Sequence, residues 1–244
     1  MTLKKMKRLI AWELEEYWSS PVLEFVVFAA VIAALNLPVR TINFEERYLN
    51  FGSSMAFIFV FLIFTTGSLF ARSFAGSLNK GEMKIMLSYP LDRTSVFVSK
   101  FVSSFLMLSV VFAAVYSLNI PLLALDLSEP MFYVSLAAMV MQLFFLCTVA
   151  TAISLATRNE IVTFLAHVLF FFGTEALVGG QKLLSSNGRY EILSNYFLKI
   201  FHGLTFSLDV SSEEVALAVI IPLLASALLF VGSLLYFNRV MEID

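Results

Sequence analysis

The feature that most constrains this chain is a succession of apolar runs without charge. They cover Phe25 to Val39, Tyr48 to Ala71, Phe101 to Leu125, Pro130 to Thr157 and Val215 to Asn238, and a sixth, Ile161 to Gly180, is interrupted only by Glu175. All but the first approach or exceed the ~20 residues that cross a hydrocarbon core as an α-helix. The first reaches that length only if Pro21 to Glu24 lie at the membrane interface. Backbone polar groups inside lipid must be satisfied within their own segment, which favours helices for such runs. Composition agrees: 59% of the 244 residues are hydrophobic, 26 are Phe, and the mean hydropathy is +0.87. An ordinary soluble domain is roughly 45–50% apolar. The expected fold is an all-α integral membrane protein with six transmembrane helices in one domain over residues 21–244, preceded by a separate helix over residues 1–20.

An even number of spans places both termini on one side, and the distribution of Lys and Arg identifies it. Eleven basic residues fall on the terminal side (Lys4, Lys5, Lys7, Arg8, Arg72, Lys80, Lys84, Arg93, Lys100, Arg158 and Arg239), against five opposite (Arg40, Arg47, Lys182, Arg189 and Lys199). Both termini are therefore expected in the cytoplasm, with the chain in the cell membrane. Glu13, Glu15 and Glu16 interrupt what would be the apolar region of a cleaved signal. The single cysteine, Cys147, excludes an internal disulfide or a thiolate metal cluster. No nucleic-acid motif is present, and no metal or cofactor is expected.

Two segments outside the runs carry a pattern. In residues 1–20, Leu3, Met6, Leu9, Ile10, Leu14 and Tyr17 share one helical face, and Lys4, Lys5, Arg8, Glu15 and Glu16 another. This predicts an amphipathic helix lying on the inner membrane surface. Glu13, within the apolar stripe, points to a protein contact on part of that face. The second segment is the loop 72–100. Gly76 and Gly81 have the spacing of a phosphate-binding loop, but Glu82 and Met83 stand where Lys and Ser/Thr are required. A carboxylate there would repel phosphate. The loop instead reads as a short helix over Glu82 to Ser88, opened by Gly81, closed by Pro90, and followed by Asp92 as the N-cap of the third span.

With Gly81, the run "MLSYPLDR" from Met86 to Arg93, and Lys100 at the start of span three, the chain resembles the permease subunits of type-2 ATP-binding-cassette (ABC) transporters. Members of that family usually carry a carboxylate just before the glycine, where this chain has Ser77, Leu78, Asn79 and Lys80. The resemblance implies six spans, a lying N-terminal helix, and a crosswise coupling helix that docks in a groove of a separate soluble ATPase. It implies two ATPase chains per complex and a second permease, either a copy or a paralogue. Gly81, Glu82, Met83, Met86, Leu87, Pro90 and Arg93 are the expected coupling residues. Met83, Met86 and Leu87 would be the apolar anchors of helix-in-groove recognition, and the chain itself would be non-catalytic.

Inside the spans, His167 lies near mid-depth of span five and Glu175 two turns beyond, with Thr163 and Thr174 extending a polar stripe. An ionisable residue within a membrane is a functional hypothesis by default. These four are the candidate substrate path. The alternative function they support is an ion-coupled secondary transporter using His167 and Glu175. An intramembrane hydrolase is disfavoured: there are two histidines, no HExxH spacing and no paired carboxylates within the runs. Between spans five and six, the outer loop 179–213 contains a helix with Leu193, Tyr196, Phe197, Ile200, Phe201 and Leu204 on one face. It is expected to rest on the mouth of the bundle as an outer gate or a passive interfacial helix.

Overall fold

The computed structural model describes residues 3–18, 61–89, 91–122, 130–178 and 212–240. Every element among them is a helix. Helix α1 is Leu3–Trp18. Helix α2, Phe61–Asn79, contains a π-helical turn over Ala71–Gly76. The short loop helix α3 is Glu82–Ser88. Helices α4 (Arg93–Leu122), α5 (Pro130–Thr157) and α6 (Glu160–Val178) follow. Helix α7, Ser212–Leu235, runs on into a second π-helical turn, Tyr236–Val240. Four stretches are long and apolar enough to cross a membrane: Phe61–Asn79, Arg93–Ala113, Val140–Thr157 and Leu223–Val240. The shorter apolar stretch Glu160–Phe172 lies in α6, at the fifth expected span. The first expected span, Pro90, and nearly all of the outer loop lie outside the described residues.

Helix α5 is the hub. It packs against α2, α4, α6 and α7, and Leu143, Leu146, Cys147, Thr148, Ala150 and Ser154 are fully buried along it. A helix apolar on all sides is what such a central position requires. Its hydroxyls stay satisfied by bonding back to their own helix: Thr148 donates to the Phe145 carbonyl at 2.8 Å and Thr151 to Cys147 at 2.8 Å. Such local bonds let a polar side chain sit where no water reaches. Ser154 lies 2.7 Å from the Ala150 carbonyl and 3.2 Å from that of Phe70, at the start of the π turn in α2. A π turn leaves a carbonyl without its usual i+4 donor, and the neighbouring helix supplies one.

Phenylalanine knits the layers together. Phe97 of α4 meets Phe74 of α2 at 5.5 Å and Phe237 of the second π turn at 5.6 Å, while Phe101 meets Phe230 of α7 at 4.8 Å, ring centre to ring centre. Tilted and edge-on pairs of this kind contribute ~0.5–1.5 kcal/mol each beyond area burial. The N-terminal end of α4 is therefore held between two π-helical turns.

The turn between α5 and α6 is only Arg158 and Asn159. Arg158 takes a left-handed conformation, φ 51°, and its N–H returns to the Ser154 carbonyl at 3.0 Å. Asn159 caps α6, its side-chain oxygen accepting from the N–H groups of Ile161 at 3.1 Å and Val162 at 3.2 Å. With no room for a longer connection, α5 and α6 must be antiparallel neighbours.

Candidate functional site: the loop helix and its polar anchor

The loop expected to couple begins where α2 ends. Gly81 has φ +75°, in the left-handed region, and nothing lies within 4 Å of a Cβ built on it. Glycine is needed there for backbone geometry rather than for space. Its carbonyl accepts the N–H groups of Lys84 at 3.1 Å and Ile85 at 3.2 Å, so one residue both ends α2 and opens α3. Gly76 is helical and packed: a Cβ there would meet the Glu160 carboxylate at 3.1 Å. A phosphate cradle needs open backbone at this glycine, so the structure agrees with the chemistry in excluding one.

Asp92 caps α4. It accepts the Ser95 backbone N–H at 3.1 Å and the Ser95 hydroxyl at 2.7 Å. The Ser95 side-chain bond is the main cause that holds the Asp92 carboxyl below its ordinary range, against a small opposing effect of burial. Two further bonds tie this end of α4 to the second π turn: Arg93 to the Phe237 carbonyl at 3.5 Å, and Asn238 to the Thr94 hydroxyl at 2.9 Å.

The orientation of α3 differs from the anchors expected. Met83 is fully buried and Met86 nearly so, both within the chain's own core, and Leu87 is half-buried against that core. The face turned outward carries Glu82, Lys84, Ile85 and Tyr89, with Ile85 62% and Tyr89 63% exposed. In a seven-residue helix with Met83, Ile85, Met86 and Leu87 apolar, two faces compete for burial. The methionines take the inner one, leaving Ile85 as the apolar residue open to a partner.

Seven residues into α4, Lys100 forms a buried ion pair with Glu13 of α1, Nζ to Oε1 2.8 Å, both side chains almost wholly out of solvent. Lys100 also donates to Ser77, in the last turn of α2, at 3.3 Å. Tyr17 and Ser104 share a buried hydrogen bond of 2.8 Å, and Ser103 lies 3.4 Å from the Ile10 carbonyl. Contacts on α1 thus spread over seven residues, about 10 Å, but on α4 over only Lys100 to Ser104, about 6 Å. Helix α1 packs on α4 through these residues. The apolar face of α1, expected to meet lipid, is turned to α4, and Glu13 accounts for it. Sequence patterning flagged Glu13 and Lys100 separately; it did not pair them, and it treated Ser77 only as a missing carboxylate.

The intramembrane candidates are placed differently again. Thr163 is buried and shares a 2.6 Å hydrogen bond with Thr157 across the α5–α6 turn. His167 is fully buried against α2, where a Cβ on Gly67 would lie 2.8 Å from its Cδ2. Its ring sits edge-on to Phe171 at 5.0 Å, and neither nitrogen makes a hydrogen bond of good geometry, although the Ile63 carbonyl is nearby. Among the described residues, both thus sit within helix contacts. Gly67 was overlooked; its only sequence signal is a glycine inside a charge-free run. Thr174 and Glu175 belong to α6, and their side chains lie outside the described residues. Compared with known proteins, the chain matches no family model and no curated protein.

Proposed function

We propose that this chain is the permease subunit of an ABC exporter in the cytoplasmic membrane, with both termini inside, paired with a second permease and worked by two soluble ATPase chains. The observation that carries the reading is α3, a short helix bracketed by the left-handed Gly81 and the Asp92 cap, seated by Met83 and Met86, with Ile85 and Tyr89 held outward. A disposable connection between two spans needs none of these devices. The same helix with its apolar residues all inward would offer a partner nothing. Here Ile85 supplies an anchor with Glu82 and Lys84 beside it, and Tyr89 adds an aromatic ring with a polar tip, a residue type enriched at interfaces. Of the expected coupling residues, Gly81, Met83, Met86 and Arg93 hold α3 in place, Leu87 is half-buried beside them, and Pro90 lies outside the described residues. Glu82 faces outward, where Ile85 and Tyr89, not among those expected, join it to meet the ATPase.

The test is affinity purification of the full chain from native membranes in mild detergent. The expected companion is a soluble ATPase with a phosphate-binding loop. Burying Ile85 is worth ~1.5–3 kcal/mol, and an unpaired carboxylate in its place adds several more. Ile85→Asp should therefore weaken co-purification at least a hundredfold, while leaving membrane expression unchanged. Retention of the ATPase by Ile85→Asp, or recovery of the chain without any ATPase, refutes the assignment. The ion-coupled alternative is not adopted, because the tight seat against Gly67 supports a packing role for His167.

A further inference from the structure

We infer that the outward face of α1 is a binding surface for anionic phospholipid headgroups of the inner leaflet. The inward face is fully committed: Glu13 and Tyr17 are buried on α4, and Met6, Leu9, Ile10 and Leu14 are partly covered. What remains outside is Lys7, Arg8, Ala11, Trp12 and Glu15, with Trp12 50% exposed. Arg8 and Trp12 are four residues apart, on one side of the helix. Residues 1–12 contain Lys4, Lys5, Lys7 and Arg8 and no acidic residue. Glu13 is neutralised internally by Lys100, and Glu15 offsets one of the two cations Lys7 and Arg8, so the fixed charge of these exposed residues is +1.

The depth of the face selects its occupant. The charge-free run of α4 begins at Phe101, immediately after the lysine on which α1 is pinned. The α1–α4 contact therefore sits at the polar end of this charge-free run, close to where headgroups would begin, with Arg93 about 10 Å further along α4. At that level an exposed indole has its favoured environment, and basic side chains reach lipid phosphates at about fivefold in affinity for each charge. A soluble partner would have to bury Trp12 beside Lys7 and Arg8 at the bilayer surface, where headgroups already supply both kinds of contact.

Trp12 is also the reporter. The chain has two tryptophans, so Trp18→Phe leaves Trp12 alone. The full chain is placed in lipid nanodiscs of equal parts phosphatidylglycerol and phosphatidylcholine. In one preparation the phosphatidylglycerol carries bromine near the top of its acyl chains, and in the other the phosphatidylcholine does. The expected result is several-fold stronger quenching of Trp12 by the brominated anionic lipid, declining toward parity at high salt. Lys7→Gln with Arg8→Gln should bring the ratio to parity without salt. Equal quenching by the two lipids at low salt overturns the inference, showing a surface that meets lipid without selecting it. Absence of quenching by either also overturns it, and assigns the face to water or to a protein. If the double variant does not fold, the salt series on the parent chain decides alone.

Discussion

Replacing Lys100 with methionine removes the charge while keeping most of the stem, and it takes the ion-pair partner from Glu13 at a site only 2% exposed. At a 2.8 Å separation and an effective dielectric of ~20, the Coulomb attraction of the pair is about 6 kcal/mol. Desolvating two ions costs several kcal/mol each. The pair is therefore close to break-even as a whole, but either half left alone is costly, at about 3–5 kcal/mol. Glu13→Leu takes the ion-pair partner from Lys100, which among the described residues then retains Ser77 at 3.3 Å. The double variant Glu13→Leu with Lys100→Met leaves no charge behind, and should recover to within about 1 kcal/mol of the parent.

The chain provides its own assay. Cys147 is its one cysteine and is buried, so a thiol-reactive fluorophore added during a thermal ramp reports loss of the packed bundle. For a chain of this length ~2–4 °C accompanies each kcal/mol, so each single variant should melt on the order of 10 °C lower, and the double variant should melt near the parent. Amide exchange over Glu13 to Trp18 detects release of α1 in advance of global melting. Single variants within about 1 kcal/mol of the parent, with unchanged exchange, would refute the buried pair. A double variant as damaged as the sum of the singles would refute the break-even argument.

Three further outcomes follow from local geometry. Gly67→Ala places a methyl 2.8 Å from His167 Cδ2 and should cost about 1–3 kcal/mol by overpacking, a loss that a second change, His167→Ala, relieves in the same thermal assay. Arg158→Gly removes a left-handed non-glycine backbone, φ 51°, and should raise stability by about 0.5–1 kcal/mol after the extra entropy of an unfolded glycine is offset, whereas Arg158→Val should lower it. Asp92→Ala should lower stability by ~1 kcal/mol as a lost N-cap. Because the folded Asp92 carboxyl titrates below its ordinary value, the cap's ionic contribution is present above the unfolded pKa of ~3.9 and fades as pH falls through the folded one. The difference between parent and Asp92→Ala, read as melting temperature against pH, should shrink only below about pH 4.

What could be read in advance was whatever depends on neighbours in the chain. The apolar runs are legible because lipid forbids exposed charge over a fixed length, and four of them reappear as helices able to cross a membrane. The Asp92 cap and the Gly81 break are legible because three or four residues decide them. The Glu13–Lys100 pair joins positions 87 residues apart, and a charge in an apolar stripe says that a partner exists without naming it. Sequence assigned the partner-facing side of α3 to Met83, Met86 and Leu87, whereas the methionines turn inward; Met83, Ile85, Met86 and Leu87 surround too much of one short helix for periodicity to choose. The π turn at Ala71–Gly76 has no compositional mark; its stability rests on Ser154 of another helix meeting the Phe70 carbonyl.

Those unreadable contacts decide how motion at α3 can travel. On its C-terminal side, Asp92 caps α4, and Arg93 and Thr94 are bonded to the second π turn. On its N-terminal side stands Gly81, free of packing, and then α2. Lys100 binds Ser77 at the end of α2 and Glu13 of α1 at once, so α1, the last turn of α2 and the first two turns of α4 share one ionic joint. Force applied at Ile85 therefore reaches α4 directly, whereas Gly81 can bend before α2 is moved. The π turn above Ser77 is the next compliant element along α2, because returning it to α-helical pairing shifts the register by one residue, a rotation of about 100°. On the proposed reading, work delivered to α3 moves the α1–α4 pair first, and α2 follows through its π turn.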